Sequence, residues 1–248
     1  MKSPALKQKI LNGGVDEWFV RLYGKEQILD QRQRYCETLD HFSEIFGENR
    51  DVKLYSAPGR TEVSGNHTDH NNGKVLAASV NLDVIAVVSI SEDNTVRLQS
   101  QGYPMDHVAL SDLEIKPEEI NRSASLIRGM AKKFTLEGHQ IGGFDAYTAS
   151  NVLKGSGLSS SAAFEVMIAV VLAGLYNDAA IDPVTLAKAG QFAENVYFGK
   201  PCGLMDQCAS AVGGMTYIDF QRIQQPEVEK LCVDFSSFGY SLCIVDTR

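Results

Sequence analysis

Apolar and polar positions change their spacing several times along the chain, and each change marks an element. Residues 1–50 read as helical: residues 25–46 are polar, with Leu29, Leu39, Phe42 and Phe46 recurring, until Gly47-Glu-Asn-Arg50 breaks the pattern. Residues 52–57 read as a strand that stops at Pro58-Gly59. Residues 84–90 and 95–99 flank Ser91-Glu-Asp-Asn94, the pattern of a hairpin. Residues 117–134 predict a helix with Pro117 in its first turn, and 144–149 a further strand. The apolar run 162–176 is too long for a strand and reads as a buried helix. Pro183 opens another helix that reaches about Phe198, and 215–219, 231–235 and 242–245 read as strands. Local strand pairs followed by clustered helices predict an α+β fold rather than a doubly wound parallel sheet. No internal repeat or linker divides the pattern.

Composition narrows the classes. At 248 residues, 44% apolar and 22% charged, the chain suits a soluble globular protein with a sizeable core, not a disordered or fibrous one. A net charge of −8 argues against a non-specific nucleic-acid binder, which needs clustered Lys and Arg. It leaves small anions open, because backbone N–H groups hold them locally. The longest apolar stretches, 84–88 and 167–175, fall short of the ~20 residues of a membrane helix. The first residues are charged and polar and do not read as a signal peptide. Cys36, Cys202, Cys208, Cys232 and Cys243 are sparse, odd in number and without zinc-site pairing, which predicts free thiols in a reducing, cytoplasmic setting.

Three segments carry chemistry. Asn151-Val-Leu-Lys-Gly-Ser-Gly-Leu-Ser-Ser-Ser-Ala-Ala163 joins a predicted strand to a helix N-terminus, where orphan N–H groups and the helix dipole favour an anion. It is neither a Walker A loop nor Gly-x-Gly-x-x-Gly, and such a loop also serves simply to cap a helix. The second segment, residues 58–73, packs Arg60, Glu62, His67, Asp69 and His70 between two strands. That set suits a polyhydroxylated substrate, a polar turn or, as His67-x-Asp69-His70, a metal cluster of the metallohydrolase kind. The third holds Glu194 and then Pro201-Cys-Gly-Leu-Met-Asp-Gln207. Asp206, after a Gly-containing turn and beside apolar Leu204 and Met205, is a candidate base, or equally a helix cap.

Gly-Leu-Ser-Ser-Ser-Ala-Ala, Gly-Arg…Gly-x-His-Thr-Asp and Cys-Gly-Leu-Met-Asp-Gln occur together in this chain, and together they resemble the galactokinase branch of the GHMP small-molecule kinases. The resemblance runs from about Leu54 onward. It implies an ATP-dependent sugar 1-kinase built on a ribosomal-protein-S5-domain-2-like α+β fold, with residues 1–50 as a helical extension and 51–248 as the GHMP N-terminal domain. It implies Asp206 as the catalytic aspartate and Arg60 as the arginine contacting it and the transferring phosphate. Gly155, Ser156, Gly157, Leu158, Ser159, Ser160 and Ser161 match the phosphate loop. Ser161 (with Ser160 the alternative) and Glu194, twelve residues before Asp206, match Mg²⁺ positions. Asn66, His67, Asp69 and Gly203 match sugar positions. The implied partners are ATP with Mg²⁺ and a small sugar, with no nucleic acid and no membrane.

The chain also departs from the family pattern Gly-Arg-x-Asn-x-Ile-Gly-Glu-His-x-Asp-Tyr. Glu62, Ser64, Asn66 and His70 stand for its Asn, Ile, Glu and Tyr, and Leu153 replaces a Pro before the phosphate loop. Asn66 is neutral, donates as well as accepts, and tolerates an acid that Glu would repel. Galacturonate, N-acetylgalactosamine and a pentose therefore join galactose as candidate acceptors. A non-catalytic sugar and nucleotide sensor on the same fold is the other reading. The resemblance also implies a C-terminal GHMP domain of roughly 150 residues beyond Arg248, without which the chain is expected to fold yet be nearly inactive.

Overall fold

A computed structural model describes residues 1–153, 155–233 and 235–243. Helices α1 (Ser3–Leu11), α2 (Asp16–Tyr23) and α3 (Ile28–Phe46) precede strands β1 (Lys53–Ser64), β2 (Lys74–Ile90), β3 (Thr95–Ser100) and β4 (Met105–Ala109). Then follow α4 (Ser123–Leu136), β5 (Phe144–Ser150), α5 (Ser160–Tyr176), α6 (Pro183–Phe192), α7 (Met205–Val212), β6 (Met215–Asp219) and β7 (Glu227–Leu231). A turn of π-helix, Ala193–Phe198, extends α6. The strands form one mixed seven-stranded sheet in the order β4-β3-β5-β2-β6-β7, with β1 also paired to β2. The class is α+β, as the pattern predicts.

Strand β2 organises the molecule. Val84, Ala86 and Val88 point into a core shared with α4 and α5, while Ile85 and Val87 point the other way, into a core built with α1–α3. Both faces of the sheet are covered here, which is why residues 84–88 are apolar without alternation. A third cluster packs α7 against β2 and β6 through Val75, Ala77, Met205, Cys208, Ala209 and Ile218.

A buried polar knot fastens the N-terminal helices to β2. Asp83 accepts hydrogen bonds from Tyr23 (2.5 Å), from Arg34 Nη1 (2.6 Å) and from the Ser56 hydroxyl, while Tyr35 lies 2.7 Å from the Tyr23 oxygen. Arg34 Nη2 also reaches the carbonyls of Asp83 (3.0 Å) and Ala149 (3.3 Å). Burial is the main force pushing both tyrosine pKa values up, so both phenols stay protonated and can donate.

Several expected boundaries shift. Strand β1 does not stop at Pro58-Gly59. It continues to Ser64 across register shifts at Pro58/Arg60 and Glu62/Ser64, and bulges are where a sheet tolerates Pro. The predicted hairpin of 84–90 with 95–99 does not form: β5 lies between β2 and β3, antiparallel to the first and parallel to the second. Strand β5 is buried at six of its seven positions and suits the interior, whereas β3 alternates. The helix expected over 117–134 is split: a 3₁₀ turn, Pro117–Glu119, is separated from α4 by Asn121 in a left-handed conformation. Leu29 is 73% exposed, and α3 buries Tyr35, Cys36, Leu39 and Phe42 instead. The last hairpin strand is Glu227–Leu231, and residues 235–238 form a 3₁₀ turn rather than the end of a strand. Of the strand expected at 242–245, the described residues 242 and 243 lie in no element, and 244–248 are outside the described residues.

Among the described residues no helix is long and apolar enough to cross a membrane. The five cysteines are free thiols.

Candidate active site

The three segments singled out in the sequence meet at one point. Arg60, just past the first β1 bulge, donates from Nε to Asp206 Oδ1 (2.7 Å) and from Nη2 to Asp206 Oδ2 (2.6 Å), a bidentate pair. Its third nitrogen, Nη1, donates to the carbonyl of Gly157. Arg60 is 6% exposed, while Asp206, in the first turn of α7, keeps 29% of its side chain open. Asp206 is therefore no helix cap; that position belongs to Leu204.

The Gly/Ser loop is anchored to this pair. Arg60 N donates to the carbonyl of buried Leu158 (3.0 Å), and the Ser159 hydroxyl donates to Asp206 Oδ2. Ser159 holds left-handed dihedrals (φ 57°, ψ 62°), as do Gly155 (φ 76°) and Gly157 (φ 75°). The two glycines tolerate this freely; the serine is strained, and its bond to Asp206 compensates. Ser156 bonds back to Leu153 O (2.6 Å), which closes the turn. Ser160 and Ser161 begin α5, half-buried, where the first helical N–H groups lack intrahelical partners.

The second loop locks onto α7. Asp69, 8% exposed, accepts from Met205 N (3.1 Å). A Cβ on Gly203 would stand 1.7 Å from Asp69 Oδ2, so only glycine permits this approach. Asn66 and His67 both adopt left-handed dihedrals and stay exposed at the rim. Glu62 holds His67 at its amide (2.8 Å) and its ring (3.1 Å). His70 lies 3.5 Å from Asp69. Among the described residues no group of three or more His, Cys, Asp or Glu side chains is gathered as a metal-binding cluster, so the His67-Asp69-His70 set does not assemble one.

Glu194 sits in the π-turn, 3% exposed, and reaches the site through Gln207. Gln207 Nε2 donates to Glu194 Oε2 (3.1 Å) and to Glu165 Oε2 (2.9 Å), and Lys200 supplies a counter-charge at Glu194 Oε1 (3.1 Å). Glu165 Oε1 and Gln207 Oε1 are buried without a partner among the described residues. Sequence reading passed over Glu165; the signal was a single carboxylate inside the apolar run 162–176, one helical turn after Ser161. Burial first, then the charge of Glu194, pushes the Glu165 carboxyl up to about 8.

That shift sets a pH dependence. The native state keeps the Glu165 proton that the unfolded chain releases, so stability falls as pH rises from about 4.5 to about 8. Glu165→Gln cannot ionise. Its unfolding free energy should match the parent near pH 4, below the unfolded pKa, and exceed it at pH 9. Urea unfolding at successive pH values measures this; parallel curves across the range would count against a protonated Glu165.

The chain is similar to known proteins. The family model for the GHMP kinases N terminal domain matches residues 125–214, and that for the galactokinase galactose-binding signature matches residues 40–90. Galactokinase of Clostridium tetani (strain Massachusetts / E88) is 36% identical over 177 residues, 71% of this chain and 45% of that protein. Galactokinase of Streptomyces coelicolor (strain ATCC BAA-471 / A3(2) / M145) is 34% identical over 212 residues, 84% of this chain and 54% of that protein. The crystal structure of Lactococcus lactis galactokinase complexed with galactose superposes with a TM-score of 0.70 at 29% identity, covering 78% of this chain and 50% of that one. Methanococcus jannaschii mevalonate kinase shares the fold at 15% identity, with a TM-score of 0.61, over 76% of this chain and 58% of that one. The chain spans about half the length of the curated relatives it matches. With both family signatures falling on the loops that meet at Arg60 and Asp206, the chain belongs to the galactokinase branch of the GHMP kinase family.

Proposed function

We propose that this chain is the N-terminal part of an ATP-dependent sugar 1-kinase acting on galactose or a galactose-like sugar, with residues 51–248 forming the GHMP N-terminal domain. The observation that carries the reading is the Arg60–Asp206 pair, tied by Ser159 and Gly157 to the phosphate loop. One arginine links the base for the sugar hydroxyl to the segment that holds the nucleotide. A protein that only sensed sugar and nucleotide would not need that link.

In the proposed reaction the anomeric hydroxyl oxygen of the sugar attacks the γ-phosphorus of ATP. The new O–P bond forms as the bond from γ-phosphorus to the β–γ bridging oxygen breaks, and ADP leaves. Asp206 accepts the hydroxyl proton, while Arg60 holds the carboxylate in place and offsets charge on the phosphoryl group. The N–H groups from Gly155 to Ser161 hold phosphate oxygens. Asp69, fixed against Gly203, and Asn66 and His67 at the rim hold sugar hydroxyls.

Ser161 and Glu194 offer the hard oxygen donors Mg²⁺ takes, and the unpartnered oxygens of Glu165 and Gln207 lie in the group around Glu194, so these residues fit the ion. When bound, Mg²⁺ supplies charge neutralisation for the phosphates.

The test is ADP release by the full polypeptide across hexoses, N-acetylated hexoses, uronates and pentoses. Sugar-dependent ADP release that stops on chelation of Mg²⁺ is expected, with residues 1–248 alone showing little or none. Absence of sugar-dependent release from the full polypeptide would overturn the kinase reading.

A further inference from the structure

We infer that Glu62 is the positioning residue of the sugar-facing loop, and that its charge together with that of Asp69 selects an uncharged acceptor over an anionic one. The inference rests on the sugar-kinase reading above and narrows it.

The loop needs an external restraint. Asn66 (φ 57°) and His67 (φ 51°) are consecutive non-glycine residues in the left-handed region, a conformation that persists only when its surroundings hold it. Thr68 Oγ1 donates to Gly65 O (2.9 Å) and Gly73 N to Thr68 O (2.8 Å), which brace the two ends of the turn. Glu62 reaches the strained peptide from β1. Its Oε1 accepts from His67 N at 2.8 Å, and its Oε2 lies 3.1 Å from His67 Nε2. The side chain is only 14% exposed although its partner is 56% exposed, so the strand, not solvent, sets where His67 stands. The second register shift of β1, between Glu62 and Ser64, falls at this residue and turns the chain into the loop.

The charge follows from the same contacts. Glu62 and Asp69 are both largely buried carboxylates facing this loop, and the groups beside them are the exposed imidazoles of His67 and His70. Arg60, the guanidinium between the loops, is already committed to Asp206. An uncharged polyol donates its hydroxyls to such a surface. A carboxylate-bearing sugar meets like charges, which is specificity by repulsion. The neutral Asn66, which by itself admits a uronate, is therefore outweighed by its neighbours.

Steady-state kinetics on the full polypeptide, with galactose, N-acetylgalactosamine, a pentose and galacturonate, test this in the parent, Glu62→Gln and Glu62→Ala, with thermal melts alongside. The parent should favour its best neutral sugar over galacturonate by about 100-fold in kcat/KM. Glu62→Gln should raise KM for the neutral sugar by about tenfold with kcat within about threefold, and should shrink the neutral-to-uronate ratio by about tenfold. Glu62→Ala should raise KM further, because it also frees the His67 amide. A parent that uses galacturonate as well as any neutral sugar overturns the inference and leaves the kinase reading standing; this arm needs no variant to fold. A folded Glu62→Gln protein with unchanged KM and selectivity overturns it too. A parent that phosphorylates no sugar brings down the kinase reading itself, and the inference with it.

Discussion

Asp206→Asn is expected to lower sugar phosphorylation by about 10²- to 10⁴-fold, the range that a positioned proton acceptor contributes. The amide keeps the shape of the carboxylate but cannot take the anomeric proton. The loss should fall on kcat, with sugar affinity within a few-fold, since the contacts expected to hold the sugar come from the loop around Asp69. Arg60 would lose the anion that now accepts from two of its nitrogens, and the Ser159 hydroxyl would lose the same acceptor. Circular dichroism and a thermal melt must therefore show the variant folded before its rate is read. A folded Asp206→Asn protein with near-parental turnover would remove Asp206 from the catalytic role.

The second large effect concerns folding. Asp83→Ala is expected to cost about 3–5 kcal/mol, because it removes the counter-charge of Arg34 and the acceptor of the buried Tyr23 phenol and leaves a cavity. At the size of this chain that corresponds to a fall in melting temperature of roughly 6–20 °C. Leu29→Ala, on the exposed side of α3, is the control and should stay within about 0.5 kcal/mol. Denaturant unfolding of the three proteins decides the matter: a change below about 1 kcal/mol for Asp83→Ala would mean that Asp83 does not bind the helical layer to the sheet.

Much of the site was legible because its residues lie in short contiguous motifs. Glycines where the chain turns left-handed, serines at a helix start and Asp206 after a Gly-containing turn are local signals, and folding only had to bring three of them together. What was not legible depends on partners distant in sequence. Glu165 reads as an ordinary break in an apolar helix until Gln207 and Glu194 are placed against it. Glu62 reads as a departure from a family pattern until His67 is seen on both of its oxygens. The fold follows the same division. Runs such as 144–149 and 162–176 declared their type through apolar length. The hairpin expected between 84–90 and 95–99 failed because sheet neighbours need not be chain neighbours, and β5 outcompetes β3 for the inner position. The early half of β2 was missed because Asn81 and Asp83 interrupt its apolar pattern, and Asp83 is there to bind a helix layer rather than to face water.

The two-sided burial of β2 has an evolutionary reading. Between residues 84 and 88 its odd-numbered residues answer to the N-terminal helices and its even-numbered ones to α4 and α5. Selection on the helical layer and selection on the α4/α5 layer thus act on alternate letters of one word. A lineage can rewrite one set, adding or reshaping residues 1–46, while leaving the other set and the chemistry behind it intact.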